Sequence, residues 1–74
     1  MTQTFNTYLS VLSELTDIVV NEKTQENDFT HLQMTEANIV SAYAIKSSLD
    51  YREYRILMDI SKALKDDMRS QLRR

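Results

Sequence analysis

Ser47-Ser48-Leu49-Asp50, in the second half of a 74-residue chain, is the stretch on which the fold turns. If a helix runs through these four residues, the second half of the protein is one long rod. If it stops there, the rod becomes two helices. The Ser-x-x-Asp spacing has the form of a capping box, so helices over about 35–46 and 49–72 are one reading. Against a break stands the absence of the residues that usually enforce one. The chain contains no Gly and no Pro, where average usage of roughly 7% and 5% would supply about five and four. Gly is the default residue for left-handed turns and helix C-caps, and Pro is the strongest helix breaker. Continuity is therefore the expectation, with a second helix over about 33–72.

On this helix Ile39, Ala42, Ile45, Leu49, Ile56, Leu57, Ile60, Leu64 and Met68 project onto one broad apolar stripe. Val40, Tyr51 and Met58 form a second line at its edge, with Tyr43 and Tyr54 between. Such an arc is wider than one packing partner covers. Upstream, Phe5, Tyr8, Leu9, Leu12, Leu15 and Val19 fall at i, i+3, i+4, i+7 spacing, and Val11 and Ile18 widen the face. This predicts a helix over about 3–21, started by Thr2 or Thr4 as N-cap and ended by Asn21 as a left-handed C-cap. Residues 21–30 are polar apart from Phe29 and read as the loop. Asp28, Thr30 or Thr35 is the expected cap of the next helix.

The expected fold is all-α: a single helical domain over 1–74, built as a two-helix antiparallel hairpin. At 1.5 Å per residue the long helix spans roughly 57 Å and the short one about 28 Å, so one cannot cover the other. The excess calls for a second copy or another protein. Size points the same way, because small domains commonly need disulfides, metals or oligomerisation. With no Cys and one His, disulfides are impossible and a structural zinc site is implausible. No secretory signal is visible, and no stretch approaches the ~20 apolar residues of a membrane span. The expected setting is cytoplasmic, without membrane contact.

Net charge is −2 but unevenly divided. Residues 1–38 carry six acidic residues against Lys23, a net −5, whereas residues 39–74 carry eight basic against five acidic residues, a net +3. An acidic element packed beside a basic one explains this better than a nucleic-acid site, which shows an unbroken basic face. Tyr51-Arg52-Glu53-Tyr54-Arg55 mixes aromatic and basic residues as single-strand binders do, but Glu53 interrupts it and a helix scatters its members.

Tyr43, Tyr51, Tyr54 and Met58 lie along one flank of the second helix, and Tyr is enriched at binding hot spots. Ile39 and Leu57 complete a set of apolar anchors. Lys46, Asp50 and Glu53 sit in or beside the stripe, where charges fix register and partner choice in helical assemblies; Lys46 and Glu53 are the expected selectors. His31 reads as a surface residue near the start of the second helix. Phosphate loops, paired catalytic carboxylates and Cys/His metal spacings are absent from the sequence, which argues against an enzyme or a bound cofactor. The expected function is a small non-catalytic modulator of inhibitor, antitoxin-like, chaperone-like or phage-encoded type. It docks helices onto a protein target or onto its own copy. The alternatives are a helical-hairpin filament subunit of secretion-needle shape and, less favoured, a nucleic-acid regulator using the basic C-terminal half.

Overall fold

The computed structural model describes residues 2–45 and 47–74, and it overturns the two-helix hairpin. Three helices pack together: α1 (Gln3–Val20), α2 (Glu26–Ala44) and α3 (Tyr51–Leu72). They run up, down and up, so that α1 and α3 are parallel and α2 is antiparallel to both. The body measures 39 × 18 × 16 Å.

The break between α2 and α3 is made without glycine. Ser47 takes a left-handed φ of 51°, and the Ser48 N–H donates to the Ala42 carbonyl at 3.2 Å. Asp50, at φ −82° and ψ 173°, then caps α3. Its carboxylate accepts from the Glu53 N–H at 2.7 Å, while Glu53 accepts from the Asp50 N–H at 3.1 Å. The reciprocal box is thus Asp50-x-x-Glu53, three residues downstream of the Ser47-x-x-Asp50 spacing. Magnitudes explain why the chain breaks. A left-handed non-glycine residue costs about 1–2 kcal/mol, whereas fully burying one Leu or Ile side chain yields about 1.5–3 kcal/mol. Folding α3 back on α2 helps bury Ile39, Ala42, Leu49 and Leu57, and the gain outweighs the strain. Replacing Ser47 with Gly is expected to raise stability by about 0.5–1 kcal/mol, read as an increased urea midpoint.

The first connection is also shorter than the polar run 21–30 suggests. α1 starts at Thr2, whose Oγ1 accepts from the Phe5 N–H at 3.0 Å. It ends in a Schellman turn, with the Glu22 N–H on the Val19 carbonyl and the Lys23 N–H on the Ile18 carbonyl, both at 3.0 Å. The left-handed residue is Glu22, at φ 55°, and not Asn21, which stays at φ −85°. α2 begins directly after Gln25, and the Asp28 carboxylate reaches back to the Gln25 N–H at 2.8 Å. Two acidic residues in the first turn, Glu26 and Asp28, favour the positive end of the helix dipole. Phe29 therefore belongs to α2, where it packs against the core under the Arg69 guanidinium at 5.6 Å.

Buried positions recur at three- and four-residue steps on every helix: Leu12, Leu15 and Val19 on α1, Leu32, Thr35, Ile39 and Ala42 on α2, and Leu57, Ser61, Leu64 and Met68 on α3. This spacing keeps one seam of each helix on the bundle axis. Polar contacts set the register at both ends of the parallel pair. At one end Thr2 donates to Glu53 from its backbone N–H (3.0 Å) and its hydroxyl (3.2 Å). At the other, the Gln71 side-chain amide donates to the Val19 carbonyl at 2.7 Å and accepts from the Thr24 hydroxyl. The acidic and basic regions meet at this second end, where Arg74 pairs with Glu22.

Candidate protein-docking surface

Exposure divides the described residues singled out in the sequence into three groups. Ile39 and Leu57 are fully buried, and Glu53 is 2% exposed. In this fold they serve the bundle's interior and present no surface to a partner. Tyr43, Tyr54 and Met58 are half-buried, and Tyr51 is 59% exposed. Lys46 lies outside the described residues.

Bringing the end of α2 against the start of α3 gathers the tyrosines into one corner. Tyr43 and Tyr54 stack with ring centroids 4.3 Å apart and planes 17° from parallel. Tyr51 tilts against Tyr43 at 6.4 Å. The Arg55 guanidinium donates to the Tyr51 hydroxyl at 2.9 Å and lies 5.8 Å from that ring's centroid. The contact raises the Arg55 pKa further, chiefly through the hydrogen bond to Tyr51. The corner is preorganised: its rings already hold one another, so little side-chain entropy remains to be lost on docking.

The outer face of α2 continues from this corner and, beyond its first turn, carries no formal charge. Between Phe29 and Ile45 the only Asp, Glu, Lys or Arg is Glu36. That side chain turns inward to α3, accepting from the Ser61 hydroxyl and the Lys65 ammonium, each at 2.7 Å. Burial alone pushes the Glu36 carboxyl pKa up, but these two hydrogen bonds and the positive charges of Lys65 and Lys62 outweigh it and leave the pKa lowered. What remains outside is Thr30, His31, Gln33, Ala37, Asn38, Val40, Ser41 and Ala44, with Met34 62% and Ile45 77% exposed. Small side chains between larger apolar ones let another helix approach closely. The sequence carried this signal as a 17-residue stretch with a single charge (29–45). It is obscured there because inward and outward apolar residues of α2 merge into one arc until the packing separates them.

Glu53 plays a role the stripe pattern did not indicate. The backbone N–H groups of Thr2 and Asp50 hold its carboxyl pKa below the usual carboxylate value. It fixes register between α1 and α3 of the same chain. Several basic residues of the C-terminal half are similarly engaged: Lys65 with Glu36, Arg74 with Glu22, Arg69 over Phe29 and Arg55 with Tyr51, whereas Arg52 and Lys62 are exposed on α3. His31 is exposed on α2. Among the described residues no group of three His, Cys, Asp or Glu side chains is placed to hold a metal ion, and no helix is long and apolar enough to cross a membrane. Compared with known proteins, the chain matches no family model, no curated protein and no solved structure.

Proposed function

We propose that this protein is a small, non-catalytic, cytoplasmic binding module that modulates a protein target by helix docking. The uncharged outer face of α2 and the tyrosine corner beside it form the contact. The observation that carries this reading is the exposure of Met34 and Ile45 along a stretch of α2 from which charge is missing, with the exposed Tyr51 beside it. Solvated helix faces are ordinarily charged, as the exposed Arg52, Asp59, Lys62, Asp66 and Asp67 of α3 are. An apolar, preorganised surface of this kind suits a target that presents an apolar helical ridge. The argument from unmatched helix lengths does not survive, because α3 folds back and the wide arc is largely buried within the chain. The filament alternative rested on that same arc and loses its support with it. A nucleic-acid reading is disfavoured because Lys65, Arg74, Arg69 and Arg55 are engaged within the chain and the exposed Arg52 and Lys62 are interspersed with Asp59, Asp66 and Asp67.

The test is affinity capture from the source organism's cells with Ile45→Asp/Tyr51→Ala, followed by mass spectrometry. Ser10→Glu, on the exposed side of α1, is the control. Circular dichroism verifies that both variants stay folded. The expected outcome is a specific partner kept by wild type and Ser10→Glu and lost by the double variant. If the double variant captures the same proteins as wild type, the face is misassigned. Light scattering distinguishes the self-associated case: a dimer that Ile45→Asp converts to monomer means that a second copy occupies the face.

A further inference from the structure

α1 and α3 run parallel, and on the side turned away from α2 they leave a groove of about 370 Å³ between them. Leu9, Leu12, Ile60 and Leu64 form its floor, with Ser13 and Ala63 at the rims. The walls are helices whose backbone groups are already bonded within each helix, so no strand can add to them. The complement of such a groove is another helix presenting side chains. Ala63 lets its backbone come close, as small residues do at helix crossings.

Charge sets the character of that helix. Asp67 lines the groove directly. Asp59 and Asp67 lie four residues to either side of Ala63, Asp66 lies three beyond it, and Asp17 follows Ser13 by four, which places all of them on the flanks of the same groove. All four are exposed. The ion pairs among the described residues are Lys65–Glu36 and Arg74–Glu22, so none of these four carboxylates is in a direct ion pair. Arg52, Arg55 and Lys62 are the opposing charges on this stretch of α3. Arg55 is held by the Tyr51 hydroxyl and interacts with Asp59, and Lys62 acts on Glu36 on the α2 side. Asp17, Asp66 and Asp67 are therefore the carboxylates left to the groove.

We propose that the groove between α1 and α3 is a second docking site, separate from the α2 face, and that its occupant is a basic amphipathic helix of a partner protein. The partner's apolar ridge lies on Leu9 and Ile60, converting three helices into four. Lys or Arg side chains on its two flanks meet Asp17 on one side and Asp66 and Asp67 on the other. Desolvation of the floor supplies affinity, while the carboxylates orient the helix and exclude acidic or nucleic-acid competitors. The α1 wall is about 27 Å long at 1.5 Å per residue, which fits a partner helix of about 18 residues.

The experiment is selection of a displayed library of helical peptides, about 18 residues long to match that wall, on the intact purified protein. Surface positions of the peptides are randomised. Enriched sequences are expected to carry Lys or Arg on both sides of an apolar i, i+4, i+7 ridge. Their affinity falls with salt. It is expected to drop by about tenfold or more for Asp17→Asn/Asp67→Asn, and to be lost for the groove-filling Ala63→Arg. Ile45→Asp/Tyr51→Ala leaves this binding unchanged, which separates the groove from the α2 face. Thermal melts confirm that each variant is folded. Ser13→Trp, which fills the groove from the α1 side without adding charge, replaces Ala63→Arg if that variant fails to fold. The proposal is overturned if no peptide is enriched, if the enriched peptides are neutral or acidic, or if the groove variants bind them as wild type does. It is equally overturned if the free protein is a dimer that the groove-filling variant dissociates, because a second copy then covers the groove.

Discussion

Leu57→Ala is expected to lower the unfolding free energy by about 2–5 kcal/mol, the range for emptying a fully buried leucine site. Leu57 is completely excluded from solvent, on the α3 seam that faces both other helices. A 74-residue domain has a total stability of roughly 4–11 kcal/mol at the usual 0.05–0.15 kcal/mol per residue. The substitution therefore removes a large share of it, and at the upper end unfolds the protein at room temperature. Urea denaturation followed by circular dichroism reads the shift. Tyr51→Ala is the informative contrast, because a ring 59% exposed should cost no more than about 0.5 kcal/mol. Two residues on neighbouring stretches of one apolar arc thus separate cleanly: one holds the bundle, the other is available to a partner. If Leu57→Ala were as mild as Tyr51→Ala, the interior of the three-helix bundle would be misassigned.

The second large effect concerns the polar clamp that Glu36 makes between α2 and α3. Glu36→Ala strips the Ser61 hydroxyl, wholly buried, of its acceptor and leaves the Lys65 ammonium without a counter-charge. Losing a hydrogen bond to a charged group and orphaning a buried donor costs about 1.5–3 kcal/mol. Glu36→Gln, which keeps an acceptor for Ser61, should lose less. The same carboxylate makes stability depend on pH. Its pKa in the folded protein lies below the ordinary 4.5, so its contribution is complete above that value and is lost as pH falls through the lower folded pKa. Glu53 acts in the same direction through its bonds to Thr2 and Asp50. Thermal unfolding measured from about pH 7 down to about pH 3 should show a melting temperature that holds and then declines below the ordinary carboxylate range. Glu36→Gln/Glu53→Gln should begin lower and decline less. A double variant as acid-sensitive as wild type would assign the acid loss to other groups.

The apolar period of 3.6 was legible because each helix keeps one face on a common axis, and α1 follows its sequence signals to within a residue at either end. The missing glycines read as missing turns, yet both turns are present. They use Glu22 and Ser47 in left-handed conformations whose cost local sequence makes appear prohibitive and burial elsewhere outweighs. The start of α2 was obscured for a related reason. Gln25-Glu26-Asn27-Asp28 has no apolar period, but Asp28 caps Gln25 and Phe29 already faces the core.

For the docking surfaces the division is sharper. Residue types and spacing are enough to identify an all-helical protein whose apolar positions outnumber those one helix pair can bury. They cannot assign each apolar residue to the inside or the outside, since that depends on where the chain reverses. Ile39 and Ile45 share the same arc in the sequence, but one is fully buried and the other 77% exposed. Packing makes that choice, because an amphipathic arc is a property of one helix while burial is a property of three. The chain's own pattern was sufficient for helices and for most of their apolar faces. The reversal at Ser47–Asp50, a long-range bargain between one strained residue and many buried side chains, settled which faces were left for a partner.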